Sequence, residues 1–462
     1  MRVFFSSVTL AVALTACGGR SSENPAPSNL GYATNPATYT LGTPITANVP
    51  SNSGGAVVSY SVVPPLPAGL ALDADSGVIS GTPNISGSAS YTLTASNAMG
   101  TTTATLRLTV NPIWSDGGHT ATLLPNGKVL ITGGLRTMSE DATLSELYDP
   151  VTRKFTGTGR LLTGRQYHTA TLLPNGKVLI VGGVGFPNEF ATIATAELYD
   201  AATGTFTAAG TTVVPRTWGH SATLLRNGQV LIAGGDASTF ATGALGATAE
   251  LYDPVAGTFT ATGNLLVACG YCTATLLADG RVLLAGGMGN GPVGILASAE
   301  LYDPAAATFT ETGSLATARY WHTATLLPTG QVLIAGGEQS DSAFLSGALS
   351  SAELYDPVAG TFTATGNMVT ARYRPTATLL SSGDLLMTGG SSEASSAELY
   401  DPLAGTFAAT GNLLQGRSGQ SATLLTTGEV LIVGGDWGLN TPPHPRPTPE
   451  LYDPSTGTFA AP

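Results

Sequence analysis

Charge is what this chain has least of. Of 462 residues only 10% are Asp, Glu, Lys or Arg, against about 25% in an average soluble protein, which argues against a charged disordered chain and against a coiled coil. Lysine occurs three times, and the net charge is −12. A nucleic-acid partner needs a basic footprint, so none is expected. Three cysteines are too few to staple a small scaffold, and no apolar run reaches the roughly 20 residues that span a bilayer. Glycine, by contrast, is abundant: 59 residues, nearly twice the usual share of about 7%. The length is about three typical domains, which calls for several domains or a large repeat architecture.

Residues 1–16 carry a positive start at Arg2 and an apolar stretch from Val3 to Leu14, the layout of a secretory leader. The junction Leu14-Thr15-Ala16-Cys17 resembles the bacterial lipoprotein box, which implies lipidation at Cys17 and a membrane partner through that anchor. Gly18 after the lipidated cysteine implies export to the outer membrane, facing either the periplasm or the cell surface. Residues 17–28 are rich in Gly, Ser and Pro and read as a flexible tether.

Residues 29–112 alternate Thr, Val, Ser and Leu with turn residues at short intervals, the pattern of a small β-sandwich. Strands are expected at Val57–Val63, Ser90–Ser96 and Thr102–Val110. The run Leu66-Pro67-Ala68-Gly69-Leu70, followed by Ser76-Gly77-Val78-Ile79-Ser80-Gly81-Thr82-Pro83, resembles an immunoglobulin-like family of bacterial surface proteins. Asp73-Ala74-Asp75-Ser76-Gly77 has the start of a calcium-loop spacing without its closing glutamate, and reads first as a turn held by Asp73. The domain is expected to act as a spacer.

Residues 113–462 contain one unit seven times: a T-A-T-L-L or S-A-T-L-L strand, a turn, an apolar strand closed by Gly-Gly, an E-L-Y-D strand, and a strand carrying Phe. The glycine pairs start at Gly133, Gly182, Gly234, Gly286, Gly336, Gly389 and Gly434. Asn126-Gly127 and its counterparts are expected to supply the positive φ angles of tight hairpins. Four short strands at a period near 50 is a propeller-blade pattern, and this repeat resembles the kelch family, with Phe where most kelch repeats carry Trp, as in the bacterial branch that includes galactose oxidase. The expected fold is therefore all-β, a seven-bladed kelch-type β-propeller preceded by a small Ig-like β-sandwich, and a monomer.

In antiparallel blades the first-to-second and third-to-fourth turns share one face, and these are short; the other face carries the long loops. The connection into each first strand lies on that long-loop face and concentrates unusual side chains: Trp114; Arg165 and Tyr167; Arg216 and Trp218; Tyr271; Arg319, Tyr320 and Trp321; Arg372, Tyr373 and Arg374; Arg417. Guanidinium forks bind carboxylate, sulfate or phosphate, and flat rings stack on sugar faces, so these residues are the candidate ligand surface. In kelch domains the matching arginine often lines the channel mouth. A second reading leaves the arginines paired with the repeat glutamates. His119, His168, His220 and His322 share one repeat position; blade spacing holds them apart, so hydrogen-bonded structural roles are expected and no metal. His444 stands alone. In the fourth repeat Arg-x-x-His becomes Cys269-Gly270-Tyr271-Cys272, a coupled change that points to a disulfide or, failing that, free thiols or redox chemistry.

The favoured function is a non-catalytic binding or adhesion module of the cell envelope with a glycan or protein ligand, no catalytic residues and no cofactor. The alternative is a carbohydrate-active enzyme, either a sugar mutarotase or epimerase working with Arg, Glu and Tyr, or a galactose-oxidase-like oxidase. The oxidase would need a cysteine cross-linked to a ligand tyrosine, whereas Cys269 and Cys272 sit together in one repeat motif.

Overall fold

The computed structural model describes residues 24–112, 117–134, 142–185, 191–235, 246–290, 294–340, 347–390, 395–435 and 447–462. The leader, Cys17, Trp114 and His444 lie outside these. The described residues are all-β, with no helix among them. The chain divides into two compact units: the first holds Thr43–Pro83, Ser88–Thr109 and the chain up to Tyr39, and the second holds Thr40–Gly42, Asn84–Gly87 and Val110–Pro462.

The first unit contains a four-stranded sheet in the order Ala37–Thr40, Gly100–Asn111, Gly87–Asn97, Ser59–Val63. Its central strands are placed by alternation. Tyr91, Leu93 and Ala95 face the core with Leu106, Leu108 and Val110, while the residues between them face outward. The Asp73 carboxylate accepts hydrogen bonds from the Asp75 and Ser76 backbone amides (3.1 and 2.8 Å) and from the Ser76 hydroxyl (2.8 Å). These bonds, led by those from Ser76, lower the Asp73 pKa and account for the acidic turn without a cation.

Among the described residues the second unit forms seven antiparallel meanders, each starting with the Thr-Ala-Thr-Leu or Ser-Ala-Thr-Leu strand. In the fifth, the strands are Thr323–Leu326, Val332–Ala335, Ala352–Asp356 and Thr361–Ala364. All four residues of every second strand are buried, as expected of a strand covered on both faces. The second meander carries an added antiparallel strand pair, Arg165–Gln166 with Val184–Gly185. First strands neighbour one another in unbroken cyclic order, the seventh lying beside the first.

Two devices join neighbouring sheets. The E-L-Y-D tyrosine pairs with its own sheet's Phe across the strands, at a ring spacing of 4.8 Å for Tyr355 and Phe362, and Tyr199, Tyr302, Tyr355, Tyr400 and Tyr452 reach back to a threonine of the preceding sheet, Tyr355 to Thr312 at 2.7 Å. The second device is a polar belt at the start of the first strands. His168, His220 and His322 each place Nε2 2.9, 3.1 and 3.0 Å from Thr120, Thr169 and Thr273 of the sheet before. His119 Nε2 lies 2.9 Å from Ser421 Oγ, which joins the first sheet to the seventh.

The hairpins differ from the expectation in one respect. Only the glycine of each Asn-Gly or Asp-Gly turn has positive φ, +81° at Gly127. Gly127 N–H donates to Leu124 O (2.9 Å) and Leu124 N–H to Lys128 O (2.8 Å), so the connection is a three-residue loop, one residue longer than a tight two-residue turn.

Candidate functional site

The arginines of the first-strand connections are expected at a ligand surface, and the structure places five of them elsewhere. Arg165, Arg216, Arg319, Arg372 and Arg417 have no exposed surface. Each pairs with the E-L-Y-D glutamate of its own sheet: Arg165 with Glu197 at 2.7 Å, Arg216 with Glu250 at 2.8 Å, Arg319 with Glu353 and Arg372 with Glu398 at 2.9 Å, and Arg417 with Glu450. Arg319 also donates to the carbonyls of Gly336 (2.9 Å) and Ser351 (3.0 Å), and Glu353 accepts the backbone amides of Ala316 (2.8 Å) and Thr317 (3.3 Å). The pair thus ties the connection to the Gly-Gly corner, with the buried charge of each partner answered. Burial lowers the Arg319 pKa and Glu353 opposes that shift, the balance expected of an interior ion pair. These five guanidinium groups cannot touch a ligand, which removes them from the candidate surface.

Cys269 and Cys272 form a disulfide, with Cα atoms 5.9 Å apart. It occupies the place of the arginine and histidine in the fourth sheet. Glu300 there accepts Leu266 and Val267 amides (2.9 and 2.8 Å) without an arginine, and burial raises its pKa.

What does converge is the residue just before the histidine position. Gly118, Tyr167, Gly219, Tyr271, Trp321, Arg374 and Gly419 all have positive φ, at +69°, +56°, +73°, +57°, +54°, +50° and +64°. Glycine meets this requirement without strain, whereas a bulky residue there is an outlier. Successive members are linked through their backbones: Tyr167 N–H donates to Gly118 O and Tyr271 N–H to Gly219 O, both at 2.8 Å, and Arg374 N–H to Trp321 O at 3.1 Å. A Cβ on Gly219 would lie 2.3 Å from Tyr271 N, so glycine there makes room for Tyr271. Backbone bridges from Gln166 to Val184, Gly270 to Met288 and Tyr320 to Glu338 place this ring at the same end of the sheets as the segments after Gly-Gly, the long-loop end.

The four large side chains of the ring meet, together with Trp218. Trp218 stands edge-on to Tyr167 with ring centres 5.9 Å apart, and Tyr271 stands edge-on to Trp321 at 5.6 Å. The Arg374 guanidinium lies 4.5 Å from the Trp321 ring centre and 5.9 Å from that of Tyr167. Burial raises the Tyr271 pKa, with Arg374 as the main opposing influence. Tyr320 stacks at 4.5 Å behind Trp321 and donates to Glu338 (3.3 Å), a residue that no sequence motif singles out. Burial raises the Glu338 pKa, and the hydrogen bond from Tyr320 opposes that shift. Tyr373 is buried beside the paired Arg372 and turns away from solvent.

Comparison with known proteins adds two findings. Residues 24–111 match the family described as Putative Ig domain. The fold is similar to that of a fungal alcohol oxidase of the AA5 family, solved in complex with copper, at 18% identity over 71% of this chain and 72% of that one, with a TM-score of 0.57. The chain is thus all-β with an N-terminal Ig domain and a galactose-oxidase-like fold. No curated protein matches it.

Proposed function

We propose that the seven meanders are the blades of a kelch-type β-propeller and that the protein is a non-catalytic binding module, taking a glycan at the Tyr167–Trp218–Tyr271–Trp321–Arg374 cluster. One observation carries this reading: four bulky residues stand at a backbone position where three other sheets place glycine, and their side chains converge. Strain of about 1–3 kcal/mol per residue persists where function requires it. Flat rings with a polar partner suit a sugar face. The test is a glycan array with the full-length protein, followed by Trp321→Gly, which copies Gly118, Gly219 and Gly419. Binding of the array hits should fall about ten-fold or more, while the melting temperature moves by no more than roughly 5 °C. Unchanged binding removes the cluster from the site.

The Cys17 motif supports a second part of the proposal, an outer-membrane-anchored lipoprotein of the bacterial envelope with the Ig domain as spacer. Cys17→Ser should move the protein from the membrane fraction to the soluble one and abolish palmitate labelling; a variant that stays with membranes overturns the anchor.

The fold of the AA5 alcohol oxidase favours one competing reading, copper-dependent oxidation. Two observations weigh against it: among the described residues no three His, Cys, Asp or Glu side chains group together, and His119, His168, His220 and His322 are held by hydroxyls of neighbouring sheets. Stoichiometric copper uptake by the full-length protein would reverse this preference.

A further inference from the structure

Building on the glycan reading, we infer that the cluster selects acidic saccharides, holding a carboxylate or sulfate of the sugar on Arg374 and Trp321 while the neighbouring rings cover its apolar face. Arg374 differs from the other arginines of its repeat class. Those five are buried and paired with glutamate, whereas Arg374 is only partly buried and lies over the Trp321 and Tyr167 rings, with no ion pair among the described residues. Among the described residues no acceptor claims its N–H donors, which form a fork that matches an oxyanion. Stacking on Trp321 at 4.5 Å fixes the plane of that fork in advance.

The second observation is independent. Trp321 Nε1 is buried and has no hydrogen-bond partner among the described residues. A buried indole N–H is normally satisfied, so an unanswered one beside the guanidinium marks where an acceptor belongs. Both groups only donate, and one of them is cationic. A neutral hydroxyl can accept from both but leaves the cation's charge unanswered, whereas a carboxylate or sulfate accepts from both and answers the charge as well. The protein's net charge of −12 makes this local cation more telling, because the chain as a whole repels anions.

The experiment uses the full-length protein on matched saccharide pairs: uronate and sialylated oligosaccharides against their carboxyl-reduced forms, and sulfated oligosaccharides against desulfated ones. The acidic member of the bound pair should bind roughly ten- to a hundred-fold more tightly, the range of a charge-assisted hydrogen bond. Arg374→Gln should bring that ratio close to one. Arg374→Gly, which restores the residue of three other sheets, should do the same and guards against a misfolded variant. Equal binding of acidic and neutral members, or a ratio unchanged in Arg374→Gln, overturns the inference and leaves the glycan reading standing. Silence across every pair and across the wider array removes both.

Discussion

Arg319 and Arg374 lie on equivalent connections and have opposite fates. Arg319 is interior and its charge is answered by Glu353 and two carbonyls. Removing one partner strands the other in a medium that cannot solvate it. Arg319→Leu should therefore cost about 3–5 kcal/mol, while Arg319→Leu with Glu353→Leu should cost clearly less than Arg319→Leu combined with an independent loss of equal size. Chemical denaturation of the single and double variants measures the coupling. An Arg319→Leu protein as stable as the wild type would put this ion pair outside the fold's support. The contrast with Arg374 rests on a shift of two positions along the connection, because the position before the histidine is the one turned left-handed.

At the scale of the single element, the fourth connection shows what replaces an ion pair. Leu265, Val267 and the disulfide line a cavity of about 10 Å³ with Glu300 and Gly286, the room of one water where the guanidinium would otherwise be. The Cys269–Cys272 bridge closes a very short loop, so its chain-entropy contribution lies at or below the roughly 3 kcal/mol of a 15-residue loop. Unreduced protein should weigh two hydrogens less than reduced protein and resist alkylation at both cysteines. Reduction should lower the melting temperature by only a few degrees. Full alkylation without reductant would show that the pair is held as thiols.

For the whole molecule, the polar belt makes stability depend on pH. Burial lowers the pKa of His220 to about 4 and of His322 to about 3, and pushes His168 well down. The unfolded chain binds protons at these sites near pH 6.5, the folded one much later. Stability is therefore complete above about pH 6.5 and is lost as pH falls toward 4, with a contribution on the order of 3 kcal/mol from His220 alone. Melting temperatures between pH 8 and pH 4 should fall accordingly. His322→Gln should flatten the profile, because it copies the seventh sheet, where the Gln420 amide donates to Thr376 at 3.3 Å and to Thr388 at 2.9 Å without titrating. A profile equally steep in the variant would place the titration elsewhere.

The sequence by itself determined the strands and their count per repeat, because a buried Val-Leu-Ile run, a Gly-Gly corner and an alternating Glu-Leu-Tyr-Asp segment each satisfy local rules of strand and turn. It also brought Cys269 and Cys272 together, since a coupled substitution at two positions of one repeat marks neighbours. Tertiary structure alone decided which cations are interior. Arg319 and Arg374 carry the same side chain, and only the fold of the connection sends one to Glu353 and the other onto Trp321. It likewise decided that Gly118, Tyr167 and Tyr271 share a left-handed backbone, with Tyr167 N–H donating to Gly118 O and Tyr271 N–H to Gly219 O on the neighbouring sheet. Glu338 became part of the site's surroundings for the same reason, since nothing local to it announces Tyr320 as its partner. The bond between His119 and Ser421 joins residues 302 apart, a contact that exists only because the first strand of the seventh sheet lies beside that of the first.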